Sequence, residues 1–175
     1  VDNGGKHYVM EFLNGGRPQG KIEQKGDAPG GRTGTTITFW PDPEIFQAEG
    51  IEFRAHTVLE RLQTYAFLNK DLEIVFKDER AGHTQLVTYR YAGGIVDFVK
   101  HLNATKEALF KKVAAYEAKT EDSEVEIALQ WNTGYHEGIH SFANGIETPE
   151  GGTHEEGFRK ALTNVVNKYA RARAR

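Results

Sequence analysis

The residues from Gly151 to Arg175 constrain the fold of this chain most. Gly151-Gly152 gives a sharply turned approach, and Thr153 with Glu156 forms a T-x-x-E pattern, the signature of a capping box at a helix start. Behind it Phe158, Ala161, Leu162, Val165, Val166 and Tyr169 recur at helical spacing and make one apolar stripe. After Glu156 the chain has no acidic residue, yet it carries Arg159, Lys160, Lys168, Arg171, Arg173 and Arg175. These features predict a capped amphipathic helix with a basic far side and a basic end.

The preceding sequence supplies sheet and helix in alternation. Residues 7–13 alternate, with Tyr8, Met10 and Phe12 on one side, and Asn14-Gly15-Gly16 turns them into a second short strand at about 20–25. Residues 26–34 read as loop. Residues 35–40, Thr-Thr-Ile-Thr-Phe-Trp, are β-branched and aromatic and predict a strand stopped by Pro41. Val58, Leu59, Leu62, Tyr65 and Ala66 give an amphipathic helix over 54–68, followed by strands at 72–77 and 86–91 with a polar turn between them. Gly93-Gly94 opens a short helix carrying Ile95, Phe98, Val99 and Leu102, and 110–116 suits helix as well as strand. Residues 124–131 alternate cleanly, a further strand is expected at 136–143, and Asn144-Gly145 turns the chain. The fold class is α+β.

Composition narrows the function less. The chain has 175 residues, 38% apolar and 27% charged, with a net charge of −3, which is ordinary for a globular domain and places any basic surface locally. With no cysteine, thiolate metal sites and cysteine nucleophiles are excluded, and a reducing cytoplasm fits. No apolar run approaches the roughly 20 residues that span a bilayer. Val1-Asp2-Asn3-Gly4-Gly5 is no signal peptide and lacks an initiator Met, so a fragment or processed chain is expected.

Two motifs carry chemistry if their geometry allows it. His136-Glu137-Gly138-Ile139-His140 is formally H-E-x-x-H, the pattern of a zinc-dependent hydrolase, which needs a helix to bring both imidazoles to one metal. Gly138 and the flanking Gly134 and Asn144-Gly145 favour strand, in which the two rings stand about 13 Å apart. Residues 28–35 are glycine-rich but lack the G-x-x-x-x-G-K-[ST] form and lead into a strand, so they are no P-loop; by themselves they read as a plain turn, with a Thr-Gly-Thr at a strand mouth whose hydroxyl could meet a ligand base as the alternative. Asp78-Glu79-Arg80 and Glu121-Asp122 read as solvated turn charges.

Taken together, several runs resemble one family, the B subunits of bacterial DNA gyrase, ATPase subunits of type II topoisomerases. They are Thr33-Gly34-Thr35-Thr36-Ile37-Thr38-Phe39-Trp40-Pro41-Asp42-Pro43, then Arg61-Leu62-Gln63-Thr64-Tyr65-Ala66-Phe67-Leu68-Asn69-Lys70, then Tyr91-Ala92-Gly93-Gly94-Ile95-Val96-Asp97-Phe98-Val99. Val125-Glu126-Ile127-Ala128-Leu129-Gln130-Trp131-Asn132 and Phe142-Ala143-Asn144 follow, leading into Gly151-Gly152-Thr153-His154. The topoisomerase IV ATPase subunit shares much of this pattern and is the alternative parent.

The resemblance implies the C-terminal part of a GHKL-type (Bergerat) ATPase domain over 1–92, and the N-terminal part of a transducer domain, similar to ribosomal protein S5 domain 2, over 93–175. It implies an adenine pocket to which Gly34 and Thr35 contribute polar groups and Ile37 a wall. It further implies that the last helix backs the transducer sheet through Phe158, Leu162 and Val165, its stripe only partly covered within these residues, and that Arg159, with Lys160 and Arg171, faces duplex DNA. For the parent it implies ATP and Mg²⁺ as cofactors, the gyrase A subunit as partner, homodimerisation at an N-terminal gate and a cytoplasmic, nucleoid-associated location without membrane attachment. These 175 residues contain no D-x-G-x-G loop, no glycine-rich ATP lid, no Gln-Thr-Lys loop and no match to the family's helix with its catalytic Glu and Mg-binding Asn. The expectation is therefore no catalytic residue, no metal ligand, no tightly bound cofactor and no ATP turnover in this chain alone.

Overall fold

A computed structural model describes residues 1–46 and 51–174, which fall into two compact units, 1–54 and 55–175. The first unit begins with β1 (Asp2–Asn3), β2 (Lys6–Val9), β3 (Phe12–Leu13), β4 (Arg17–Pro18) and β5 (Glu23–Asp27). Strands β1, β2 and β5 form an antiparallel sheet in the order β1-β2-β5, and β3 and β4 pair across the Asn14-Gly15-Gly16 turn anticipated from the sequence. The second strand starts three residues later than expected, because Gly20–Ile22 lie outside the ladder that pairs Val9 with Glu23.

The strand expected over 35–40 does not form. The backbone there is in no ladder; pairing ends at an isolated bridge between Asp2 and Gly34, and Ile37 (81%), Phe39 (65%) and Trp40 (82%) are largely exposed. β-Branched and aromatic residues fit a pleated surface, but the preference is expressed only where another backbone supplies the hydrogen bonds. Beyond the bridge, Asp42 closes the expected turn, its Oδ1 accepting from the Glu44 N–H at 2.9 Å.

The second unit is built around α1 (Ala55–Leu68), which packs against the hairpin of β6 (Ile74–Asp78) and β7 (Gln85–Tyr89) and against α2 (Ile95–Leu102). In turn α2 lies on the hairpin of β8 (Ala114–Lys119) and β9 (Glu124–Leu129). The ambiguous 110–116 segment thus resolves into the start of a strand, because β9 offers it a partner. Phe67 is the hub: its ring stacks on Tyr91 at 3.8 Å between centroids and lies 5.2 Å from Phe98 and 5.3 Å from His101. Buried apolar residues are few among those described, namely Ala28 in the first unit and Ala66, Phe67 and Val113 in the second.

The strand expected at 136–143 shrinks to β10 (Phe142–Ala143), which pairs with β11 (Ile146–Glu147); residues 136–141 have no ladder. Asn144 (φ 51°) and Gly145 (φ 77°) form the two-residue turn with both central residues left-handed, the geometry for which Asn-Gly is the preferred pair. Helix α3 (Thr153–Arg173) is present, but the capping box is not. Gly152, rather than Thr153, is the N-cap, with no side-chain cap bond, and the Glu156 N–H bonds to the Gly152 carbonyl at 3.0 Å. The double glycine lets the backbone turn directly into the helix, which moves Thr153 one position too far inside to cap it. Phe158 and Leu162 are half-buried, as expected of a stripe that packs, whereas Val165 is 65% exposed and no residue of α3 is fully buried. The expected division at 92/93 falls within the second unit, at the entry to α2.

Candidate functional site

Two clusters bear the residues singled out in the sequence, one in each unit. In the first, Gly34 is tied to Asp2 by a reciprocal backbone pair, Asp2 N–H to Gly34 O at 2.8 Å and Gly34 N–H to Asp2 O at 3.0 Å. The Asp2 side chain is buried; His7 Nδ1 lies 2.5 Å from its Oδ1, and Arg32 Nε donates to its Oδ2 at 2.9 Å. The His7 contact and the Arg32 guanidinium hold this carboxyl below the usual carboxylate range. The clasp fixes the chain up to Gly34 and launches Thr35 and Ile37 into the open. What this segment offers a ligand is an extended backbone, one hydroxyl and one aliphatic side chain. That set suits the edge and face of a planar base. Arg32, the cation next to this segment, donates through Nε to Asp2.

The second cluster surrounds the start of α3. Glu155 and Arg159 stand one turn apart and face each other: Arg159 Nε donates to Glu155 Oε1 at 2.9 Å, and Nη2 lies 2.8 Å from the same oxygen. The other Glu155 oxygen accepts from Ser141 Oγ at 2.8 Å, and Ser141 Oγ is 2.7 Å from Thr148 Oγ1. Hydrogen bonds from Ser141 and then Arg159 lower the Glu155 pKa, and bonds to Glu155 and Glu137 raise that of Arg159. Arg159 Nη1 pairs with Glu137 from the irregular 136–141 segment. Lys160 pairs with Glu156 at 2.8 Å, and Arg173 lies 5.3 Å over the Tyr169 ring. Arg171 is exposed in the last turn of the helix.

The H-E-x-x-H residues are dispersed among other partners. Glu137 serves Arg159, and His140 lies 3.5 Å from Glu147 with its ring against the edge of Phe98. Residues 136–140 are not helical, so the motif lacks the geometry that a zinc hydrolase requires. Among the described residues, the one acidic group with metal-ligand spacing is Glu117, Glu124 and Glu126, each offering an oxygen within 4.8 Å of the others. All three are exposed, and Lys70 Nζ already lies 3.3 Å from Glu117 and 3.4 Å from Glu126. That lysine has a structural reason: Glu117 and Glu126 sit directly opposite in the β8–β9 ladder, where like charges repel. Its stem crosses Gly94 (φ 57°), where a Cβ would meet Lys70 Cγ at 2.6 Å, so the glycine is required there twice over.

Sequence reasoning missed Glu155 and Ser141 and gave Glu137 the wrong context. Glu155 carried a signal, an acid four residues before a basic residue on a helix, but the T-x-x-E pattern drew the reading to Glu156. Glu137 carried none, because its partner lies 22 residues away.

Comparison with known proteins gives a consistent answer. The family described as DNA gyrase B matches residues 94–175. The chain is 45% identical to the DNA gyrase B protein of Mycobacterium tuberculosis over 179 aligned residues, covering 85% of this chain and 26% of that protein. It is 43% identical to the DNA gyrase B protein of Streptococcus pneumoniae, covering 98% of this chain and 26% of the relative. The 43K ATPase domain of Thermus thermophilus gyrase B, solved in complex with an aminocoumarin, superposes with a TM-score of 0.80 at 33% identity, covering 98% of this chain and 45% of that one. The chain thus spans about a quarter (26%) of the length of the curated relatives it matches.

Proposed function

We propose, for a chain that belongs to the DNA gyrase B family, that it forms the stretch through which nucleotide binding in an ATP-dependent DNA topoisomerase is coupled to strand passage and negative supercoiling. Residues 1–92 contribute the closing part of the ATPase domain and 93–175 the opening part of the transducer. The observation that carries this reading is the co-linear match at 45% identity across 85% of the chain, together with the 0.80 superposition on a gyrase B ATPase domain. A topoisomerase IV parent is not favoured by these relatives. A zinc hydrolase is not favoured either, for the geometric reason given above.

Within that reading, Gly34, Thr35 and Ile37 meet the adenine of ATP, the hydroxyl supplying a polar contact and Ile37 an apolar wall. ATP carries the chemistry when Mg²⁺ is bound with it; this stretch holds only the base and transmits its presence to the transducer. The basic face of α3, with Arg159, Lys160 and Arg171, meets the phosphates of duplex DNA independently of sequence, and such contacts weaken steeply as salt rises. The gyrase A subunit, a second copy of gyrase B at the N-terminal gate and a cytoplasmic, nucleoid-associated location belong to the same proposal. No described helix is long and apolar enough to cross a membrane.

Two measurements test it. The 175-residue chain, freed of contaminating ATPase, is expected to show no magnesium-dependent ATP turnover, and measurable turnover overturns the assignment of roles. Fluorescence anisotropy with a labelled duplex is expected to show binding that is sequence-independent and falls with salt. Changing Arg159, Lys160, Arg171 and Arg173 all to Glu should abolish it; binding that persists removes α3 as the contact.

A further inference from the structure

We infer that Glu137 is a displaceable stand-in for phosphate on Arg159, so that this one carboxylate sets how strongly the α3 face engages duplex DNA. The inference rests on the DNA-facing reading of that helix and adds the element that regulates it.

Arg159 has two carboxylate partners of different character. Glu155 is 17% exposed, lies on the same helix, takes Nε and Nη2 through one oxygen and is anchored through the other by Ser141. Ser141 is itself held by Thr148, so this side of the guanidinium is fixed from both ends. Glu137 is 61% exposed, comes from a segment without ladder bonds and takes Nη1. The Nη1 edge is therefore the part of the fork turned away from the fixed anchor, and a carboxylate already occupies it. A guanidinium accepts a phosphate in the geometry it uses for a carboxylate.

The charges make the consequence definite. One cation between two anions leaves the cluster at −1, which repels a backbone phosphate. Binding there requires Glu137 to leave Nη1, whereas Glu155 can stay and keep the arginine aimed. Neutralising Glu137 should therefore strengthen DNA binding, the opposite of what loss of a positioning group would do.

The test is duplex binding by the full 175-residue chain, read by anisotropy across a salt series. The variants are Glu137→Gln, Glu137→Ala, Arg159→Gln and the double variant E137Q/R159Q, with Glu121→Gln on the β8–β9 turn as a control for net charge. Circular dichroism and urea midpoints confirm the fold of each. The expected result is a 3- to 10-fold tightening for E137Q and E137A, a salt slope steeper by about one, and no tightening beyond that of E121Q once Arg159 is replaced. If E137Q binds no tighter than E121Q while R159Q weakens binding, the inference fails and the DNA-facing reading survives. If R159Q changes nothing but the fourfold charge reversal abolishes binding, the inference also fails, with the contact placed elsewhere on the helix. If the reversal changes nothing either, the reading and the inference fall together.

Discussion

At the scale of single residues, charge placement is where sequence and structure part most sharply. Asp78-Glu79-Arg80 has the composition of a solvated turn, yet Asp78 is only 5% exposed. Its carboxylate accepts the Arg80 backbone N–H at 3.0 Å and Arg80 Nη2 at 2.7 Å. These bonds to Arg80 bring its pKa from 3.8 to about 2. The sign follows from linkage: a depressed carboxyl stabilises the fold fully above its unfolded pKa and loses that contribution as pH falls through the folded one. The stabilisation should hold at pH 4 and above and fade between about 4 and about 2. An NMR titration of the Asp78 carboxyl is expected to give a midpoint near 2 that returns toward 3.8 in an Arg80→Ala variant. A midpoint of 3.8 in the unaltered chain would sink the Asp78–Arg80 pairing. Composition could not foretell this, since a turn charge becomes structural only when its neighbour's side chain folds back over it.

At the scale of elements, the sequence revealed those that carry their partners within reach. The helix expected at 54–68, the two hairpin strands after it and the Gly93-Gly94 helix start all formed, because α1 packs on the β6–β7 hairpin and on α2. The 35–40 and 136–141 segments had strand-like residues but no ladder partner among the described residues, and period-2 patterning says nothing about partners. Helix α3 lies between these cases. Its first turns are tied down by Ser141, Glu137 and the half-buried Phe158 and Leu162, but Val165, Val166 and Tyr169 are 65%, 50% and 61% exposed. A helical stretch without tertiary cover has little to hold it, since isolated helices shorter than about 12–15 residues are marginal in water. Hydrogen exchange should therefore show a gradient, with amides around 158–163 protected well above those of 167–173. Equal protection along the whole helix would show that the apolar stripe is covered. The same uncovered stripe explains why the helix was legible while its cap was not: periodicity survives without packing, whereas a cap depends on where one backbone turn happens to close.

At the scale of the whole molecule, the two units are held by different physics. In the first, the buried apolar residue among those described is Ala28, and order comes from the short ladders and from Asp2 clasped by His7 and Arg32. In the second, the aromatic hub at Phe67 does the holding, with its ring 2% exposed and faced by Tyr91, Phe98 and His101. The adenine-facing role proposed for Gly34, Thr35 and Ile37 came through the resemblance; the residues by themselves offered only a Thr-Gly-Thr whose hydroxyl could meet a ligand base. The core was different, because Phe67 lies one position beyond the apolar face read from α1, where only the convergence of α1, α2 and the Tyr91 segment buries it. The difference between core and uncovered face is measurable in one pair of variants. Phe67→Ala should cost about 3–5 kcal/mol, the range for deleting a buried aromatic ring, because the stacked rings around it cannot close the gap without losing their own contacts. Val165→Ala, on the open part of α3, should stay within about 0.5 kcal/mol. In a Trp40→Phe background, Trp131 becomes the single tryptophan and reports on the second unit alone during urea unfolding. A loss for Phe67→Ala no greater than that for Val165→Ala would mean that this hub does not hold the unit together.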